Sequence, residues 1–89
     1  MNFYYVYVLY SLKDHNWYTG FTSDLRSRLK EHTTGQTKST RHRRPLKLIY
    51  FEGCLHKADA IAREKYLKSA MGKRYLKNRL QRFLQRLDF

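Results

Sequence analysis

The sequence predicts an α+β fold, in which a small antiparallel three-stranded sheet is flanked by helices in the order β-β-α-β-α-α. Two patterns lead to this prediction. Three short runs of β-branched and aromatic residues are typical of strands, and longer runs with apolar residues three and four apart are typical of amphipathic helices. The chain has 89 residues and no low-complexity linker, so we expect one domain over residues 1–89.

The first two strands are expected to form a hairpin. Residues 3–10 have the composition of a strand that is buried on both faces, and residues 17–20 that of a second, shorter strand. The polar residues 11–16 predict a connecting loop of about five or six residues. A third strand is predicted over residues 46–51. Pro45, which opens this segment, is tolerated at a strand's first position.

Helix boundaries follow from capping residues and glycines. The first helix is expected to begin near Asp24, with Ser23 or Thr22 as its cap, and to run to about residue 32 or 34, where Gly35 ends it. A second helix is predicted from residue 56 or 57 to about residue 71, where Gly72 breaks it. The apolar spacing beyond Gly72 predicts one final amphipathic helix.

The charge of the chain predicts a polyanionic partner. Nineteen Lys and Arg residues face seven Asp and Glu, for a net charge of +12 and a pI near 10.1. Nucleic acid is favoured, DNA first, because each neutralised phosphate releases a counterion. A membrane partner is not expected, since no run is long enough to span a bilayer. One cysteine and no leader-like N-terminus fit a cytoplasmic protein.

Several residues are candidates for chemistry. Tyr7 and Tyr18 lie on the two strands of the predicted hairpin, so their hydroxyls can share a pocket. Gly20 follows at the strand-to-helix junction, where glycine lets a phosphate approach the backbone. Arg28 and His32 lie four apart on one helix face and suit phosphate binding or proton transfer. The alternatives are core tyrosines, an ordinary turn glycine and a solvated basic face.

Two further features suit metal and phosphate binding. Glu64 is an acid on an otherwise basic helix segment and is a candidate ligand for magnesium, with a salt bridge to Arg63 or Lys65 as the alternative. The segment of residues 36–44 is polar, basic and without periodicity, so a loop is predicted there. Its candidate phosphate-binding residues are Lys38, Thr40, Arg41, Arg43 and Arg44, with a merely soluble loop as the alternative.

The order of these motifs resembles that of the GIY-YIG nucleases. The segments Tyr5-Val6-Tyr7 and Tyr18-Thr19-Gly20 are similar to the two motifs that name the family, although Tyr5, Val6 and Thr19 depart from its consensus. The resemblance covers about residues 3–80 and extends to the small stand-alone bacterial subgroup and to the nuclease domain of the excision-repair incision subunit. It implies a catalytic arginine at Arg28 and a metal-binding glutamate at Glu64.

The resemblance implies a metal-dependent endonuclease that hydrolyses phosphodiester bonds in DNA, either structured or single-stranded, in repair or recombination. Glu64 would hold a single Mg²⁺ or Mn²⁺ and Arg28 would stabilise charge on the phosphate. Tyr7 would act as base or water-positioning group, with its phenolate favoured by nearby cations. Tyr18 would bind phosphate or water, and His32 would partner either tyrosine.

Other readings of the sequence stay open. One alternative is a catalytically weak nucleic-acid-binding module with the nuclease fold, and another is a basic protein that docks on RNA in a ribosomal particle. The choice between DNA and RNA, the structural preference and the oligomeric state, monomer or weak homodimer, are not determined by the residues.

Overall fold

The computed structural model describes residues 2–87, which form three strands and four α-helices. In chain order these are β1 (Tyr4–Ser11), β2 (Trp17–Thr22), α1 (Leu25–Thr33), a short 3-10 helix (Arg41–Arg43), β3 (Leu46–Cys54), α2 (Lys57–Lys68), α3 (Ala70–Arg79) and α4 (Gln81–Arg86). The arrangement confirms the predicted α+β class and the hairpin. Within residues 2–87, no helix is long and apolar enough to cross a membrane.

Strand β1 is the centre of the sheet, whose order is β2-β1-β3 with both pairs antiparallel. Its central place explains why every residue from Val6 to Ser11 is buried, as its aromatic and β-branched composition predicts. A bulge between Val8 and Leu9 shifts the register against β3. Strand β3 extends to Cys54, beyond the predicted residue 51, because its last residues pair with the start of β1.

The two faces of the sheet have different coverings. On one face, Val6 and Val8 pack with Ala60 and Leu67 of α2 and Leu76 of α3, and together these five buried residues form the apolar core. Alternate side chains of β1 point to the other face. Tyr7 lies on this second face, where α1 covers it. The same strand therefore supplies both the core and the candidate site.

The residue that caps the first helix lies one position after the nearer of the two predicted caps. Asp24, rather than Ser23 or Thr22, caps α1, and its carboxylate accepts a hydrogen bond from the Ser27 amide at 3.1 Å. An aspartate cap also places negative charge at the positive end of the helix. Gly35 follows the end of the helix with φ of +82°, as the predicted stop requires.

The predicted break at Gly72 is wrong, because the chain turns earlier, at Ser69. Ser69 has an extended backbone and its hydroxyl accepts from the Gly72 amide, so it caps α3. Gly72 is buried in the first turn of α3, where an added Cβ would collide with the Tyr66 carbonyl at the end of α2. The predicted final helix is also divided, into α3 and α4 at Leu80. Apolar spacing alone does not distinguish one bent helix from two.

Candidate active site

Tyr7 is the centre of the candidate site and is fully buried. It lies opposite Gly20 in the register between β1 and β2. A Cβ added at Gly20 would be 2.6 Å from the Tyr7 hydroxyl oxygen and 2.7 Å from Cζ. Gly20 therefore makes room for the ring of Tyr7, and its own buried position suits this better than the predicted contact with a phosphate.

His32 connects Tyr7 to the loop that follows α1. The Tyr7 hydroxyl lies 2.9 Å from His32 Nε2, and His32 Nδ1 lies 2.7 Å from Thr40 Oγ1. His32 and Thr40 are both fully buried. Position 32 is in the last turn of α1, so the helix carries the imidazole directly to the sheet. The three side chains form one buried hydrogen-bonded chain.

The structure places Thr40 in the interior, whereas the sequence predicted an exposed phosphate-binding residue. Because its side chain is fully buried and its hydroxyl meets His32, Thr40 is positioned to orient the imidazole rather than to touch a phosphate. The sequence offered no signal for this contact, since the two residues lie eight apart in a segment without periodicity.

Tyr18 completes an aromatic cluster around His32. Its ring centroid lies 6.4 Å from that of Tyr7 and 5.2 Å from that of His32, while the Tyr7 and His32 centroids are 5.7 Å apart. The two tyrosine rings therefore lie near each other and near His32, as the predicted hairpin requires. Unlike Tyr7, Tyr18 is only half-buried, so it forms part of the accessible wall of the site.

Burial controls the protonation of the Tyr7 and His32 pair. Burial, with a smaller contribution from Tyr18, raises the pKa of Tyr7 to about 12, although the Arg28 guanidinium beside the hydroxyl opposes this rise. The phenolate expected from nearby cations is therefore not favoured in the free protein. Burial, followed by the charge of Arg28, lowers the pKa of His32, while Glu31 acts in the opposite direction.

A neutral imidazole at position 32 fits both of its contacts. In the tautomer protonated at Nδ1, His32 donates to Thr40 and accepts the Tyr7 hydroxyl proton at Nε2. In the other tautomer the two roles are exchanged. Either form is neutral, in agreement with the lowered pKa of His32. Only the first form lets Tyr7 pass its proton to the histidine.

Arg28 lies near this pair but reaches solvent. Its guanidinium forms an ion pair with Glu31 at 3.1 Å, and its side chain is 40% exposed. An exposed pair of this kind contributes about 0.3–0.5 kcal/mol to stability, so a phosphate can displace Glu31 at small cost. Arg28 thus combines closeness to Tyr7 with a readily exchanged partner.

Glu64 approaches the same site from α2. Its charge contributes to the raised pKa of Tyr7, and its side chain is 21% exposed. A salt bridge joins Glu64 Oε2 to Lys68 Nζ at 3.3 Å, one turn along α2. Neither neighbour in sequence is this partner. Arg63 instead pairs with Glu52 at 2.6 Å on the core side of the sheet.

The protein ligands available around Glu64 fit only a metal ion that keeps most of its bound water molecules. Among residues 2–87, no group of three or more His, Cys, Asp or Glu side chains is placed to hold an ion. A single accessible carboxylate such as that of Glu64 suits Mg²⁺ or Mn²⁺ completed by water and substrate phosphate. Lys68 can be displaced from Glu64 at small cost, since its side chain is 56% exposed and exposed ion pairs contribute little.

A cavity of about 230 Å³ opens beside Tyr18, between β2 and the junction of α2 with α3. Lys68 and Lys73 line it together with Trp17, Thr19 and Leu67. The cavity thus brings two cations next to the accessible tyrosine of the site. Sequence reasoning did not single out Lys68, although its position four residues after Glu64 on the predicted helix is a signal for such a pair. Only the structure places it beside Tyr18.

In the predicted basic loop, three candidate cations are exposed to solvent and one is bound to a carboxylate. Lys38, Arg41 and Arg44 are exposed, so they remain candidates for phosphate contacts. Arg43 is half-buried and bonds Asp14 in the hairpin loop at 2.7 Å. The hydrogen bond from Arg43 lowers the pKa of Asp14 to about 2. Arg43 thereby fixes the loop to the hairpin, and its guanidinium already has a carboxylate partner.

Comparison with known proteins identifies the family. Residues 3–81 match the GIY-YIG catalytic domain. A UPF0213 protein of Clostridium perfringens is 48% identical over 65 residues, which are 72% of this chain and 69% of that protein. A UPF0213 protein of Pediococcus acidilactici is 40% identical over 83 residues, 86% of this chain and 84% of the relative.

The YazA relative of Bacillus subtilis, also a UPF0213 protein, is 41% identical over 63 residues, which are 70% of this chain and 64% of that protein. The solution NMR structure of a UPF0213 protein from Bacillus halodurans superposes with a TM-score of 0.54 at 37% identity, covering 85% of this chain and 83% of that one. The present chain belongs to the GIY-YIG family, whose nuclease domains bind nucleic acid and act as endonuclease-type hydrolases.

Proposed function

We propose that this protein is a divalent-metal-dependent endonuclease that hydrolyses phosphodiester bonds in DNA, structured or single-stranded, in repair or recombination. One observation carries the proposal: the buried chain from Tyr7 through His32 to Thr40 ends beside Arg28 and Glu64. Together they offer a proton relay, an anion-binding cation and a hard metal ligand at one place. A structural core has no use for this combination.

The relay supplies the proton acceptor that hydrolysis requires. A protonated Tyr7 cannot take a proton from water unless it loses its own at the same time. Neutral His32 accepts that proton at Nε2 while Tyr7 takes one from the attacking water. Thr40 accepts from Nδ1 and stabilises the imidazolium that results. The lowered pKa of His32 keeps the acceptor neutral at physiological pH.

Substrate must uncover the relay. Tyr7 is fully buried in the free protein, and the Arg28 guanidinium lies beside its hydroxyl. A phosphate that draws Arg28 away from Glu31 would expose the hydroxyl and place the guanidinium on the phosphate oxygens. Arg28 would then stabilise the charge that develops in the transition state. Tyr18, on the accessible side, would hydrogen-bond the phosphate or the water.

Glu64 is the residue that would hold the single Mg²⁺ or Mn²⁺. The bound ion supplies Lewis-acid polarisation of the scissile phosphate. Lys68 neutralises the Glu64 carboxylate in the free protein and also lines the cavity beside Tyr18. Once displaced from Glu64, it would contact a substrate phosphate in that cavity. The exposed Lys38, Arg41 and Arg44 provide phosphate contacts away from the reacting bond.

The proposal is tested by metal-dependent cleavage of labelled single strands, duplexes, flaps, branched junctions and RNA. We expect cleavage of DNA with Mg²⁺ or Mn²⁺, and its loss in Glu64→Gln with affinity for the same DNA retained. Asp59→Asn is the matched control, because it neutralises an exposed acid in the first turn of the same helix. Equal cleavage rates in wild type and Glu64→Gln would remove the metal assignment.

A second candidate function is a nucleic-acid-binding module with little activity. The observation that favours it is the full burial of Tyr7, whose hydroxyl has no direct access to water. Salt-sensitive binding with no product from any substrate, with either metal ion, would establish this function in place of the first.

A further inference from the structure

A larger cavity adjoins the candidate active site. It has a volume of about 760 Å³ and lies between the hairpin loop and helices α3 and α4. Trp17 lines one side of it, and Lys73 and Lys77 line another. His15 and the side-chain amides of Asn16, Gln81 and Gln85 complete its polar lining, and no acidic residue borders it.

This cavity adjoins the smaller one beside Tyr18. Trp17 and Lys73 line both cavities, so the two lie side by side next to the strand β2, which is an edge of the sheet, and together they are called the groove. One end of the groove is at Tyr18 and Lys68, within the candidate active site. The other end is at Lys77, one helical turn beyond Lys73 on the same face of α3.

The chemistry of the larger cavity matches one nucleotide. A half-buried indole offers a stacking surface that every base can use, and such stacking is sequence-tolerant. Two lysines one turn apart offer point charges for the phosphates on either side of a sugar. Side-chain amides are able to bond base edges. An acidic protein would use the lysines but would leave the indole and the amides without partners.

We propose that the cavity lined by Trp17, Lys73 and Lys77 is a nucleotide-binding subsite for the strand that is cut. The base stacks on Trp17 and the flanking phosphates lie on Lys73 and Lys77. The subsite rests on the proposed nuclease function, since the groove leads a strand from this cavity to Tyr18. The subsite requires a substrate in which a base next to the scissile phosphate is not stacked on its neighbouring bases.

Trp17 is the only tryptophan in the chain, so intrinsic tryptophan fluorescence reports on the groove that the two cavities form, and Lys77 distinguishes the larger cavity because it does not line the smaller one. The experiment titrates the full chain in EDTA with a short single-stranded oligonucleotide, while anisotropy of a labelled copy follows overall binding. We expect quenching of Trp17 that saturates together with the anisotropy. Lys77→Gln should weaken the affinity measured by quenching about tenfold, within the range of stacking and phosphate contacts.

Lys57→Gln is the matched control, because it removes the same charge from an exposed lysine about 16 Å along α2 from Lys68. It should weaken the affinity measured by quenching less than twofold. An equal loss in both variants would overturn the subsite in favour of general charge attraction. Unchanged Trp17 emission at saturated anisotropy would also overturn it, as would equal quenching by inorganic phosphate or poly-glutamate.

The outcome is separable from that of the nuclease proposal, because EDTA removes cleavage from the measurement. Quenching that depends on Lys77, in a protein that cuts no substrate, would leave the subsite standing and remove the nuclease. Metal-dependent cleavage without any change in Trp17 emission would leave the nuclease standing and remove the subsite.

Discussion

Two tyrosine–histidine pairs lie on the same strand and differ in almost everything except their hydrogen bond. Tyr7 bonds His32 at 2.9 Å, and Tyr10 bonds His15 at 2.8 Å. His32 is fully buried at the end of α1, whereas His15 is exposed in the hairpin loop with a φ of +62°. Water is therefore able to serve the second ring nitrogen of His15, while only Thr40 serves that of His32.

The surroundings of the pairs differ as well. The Tyr7 ring lies near that of Tyr18, and the charges of Arg28 and Glu64 both act on the pKa of Tyr7. Tyr10 packs edge-on against Phe83 of α4 at 6.4 Å, and Lys47 is its partner on β3. The comparison teaches that a tyrosine–histidine bond becomes a candidate relay only when burial fixes its protonation and charged groups surround it.

The largest expected difference between the pairs is in cleavage rate. Tyr7→Phe removes the relay hydroxyl, and general acid–base groups contribute about 10²–10⁴-fold, so the rate should fall by at least roughly a hundredfold. Tyr10→Phe removes the same atom from the other pair and should change the rate by less than about twofold. Single-turnover kinetics on one DNA substrate measures both. Similar rates in the two variants would end the distinction between the pairs.

A pH profile sharpens the comparison next. The relay needs neutral His32, and its pKa is lowered from 6.5, so the acid limb of the cleavage rate should lie below pH 6.5. His32→Gln should slow cleavage roughly tenfold to a hundredfold and abolish that limb, because glutamine does not titrate. His15→Gln should leave the limb in place. An acid limb that survives in His32→Gln would assign it to another group.

The same lowered pKa makes acid destabilising for the folded state. Unfolded His32 binds a proton below about pH 6.5, whereas the folded protein resists that proton, so stability falls as the pH drops below the unfolded value. Denaturant unfolding at pH 7 and pH 5 should show a smaller loss for His32→Gln than for wild type. A loss of equal size would show that His32 takes up its proton without cost.

The space at two glycines on one face of the sheet gives a third contrast. Gly20→Ala places a methyl group 2.6 Å from the buried Tyr7 hydroxyl and should cost about 1–3 kcal/mol of unfolding free energy by overpacking. Gly53→Ala, opposite Tyr5 on β3, meets the Phe3 and Tyr5 rings only at 3.3 Å and should cost less than about 1 kcal/mol. Thermal and denaturant unfolding of the two variants compares them directly, and equal costs would contradict the tight fit at Gly20.

The last contrast concerns the hydrogen bond that supports the imidazole of His32. Thr40→Val keeps the shape of the side chain but leaves His32 Nδ1 without its partner, which should cost about 1–3 kcal/mol of stability. Thr40→Ser keeps the hydroxyl and should retain most of the stability that Thr40→Val loses, as denaturant unfolding of the two variants measures. Failure of the serine variant to do so would mean that Thr40 acts through packing alone.

The fold was largely predictable because its signals are local. The composition of β1, the polar hairpin loop and Gly35 each act within a few residues, and the structure confirms the elements that they predict. The errors occurred where two local signals competed. Ser23 and Thr22 were the predicted caps of α1, whereas Asp24 caps it, and Ser69 ended α2 ahead of the more conspicuous Gly72.

The site was predictable as a set of residues but not as an arrangement. Residue type and position selected Tyr7, Tyr18, Arg28, His32 and Glu64, and the family resemblance implied their roles. The spacing of four residues is a signal for the pair of Glu64 with Lys68, but nothing in the spacing showed that Thr40 would bond His32. The expected phenolate at Tyr7 also depended on burial, which the sequence alone does not measure.

The sequence by itself determined a basic chain, a central apolar strand and the identity of the groups available for chemistry, because charge, periodicity and residue type are properties of the chain. Only the tertiary structure decided that Tyr7 rather than Tyr10 would be sealed against a buried histidine. Burial and hydrogen-bond partners are properties of packing, and packing joins residues such as 7, 32 and 40 that are distant along the chain.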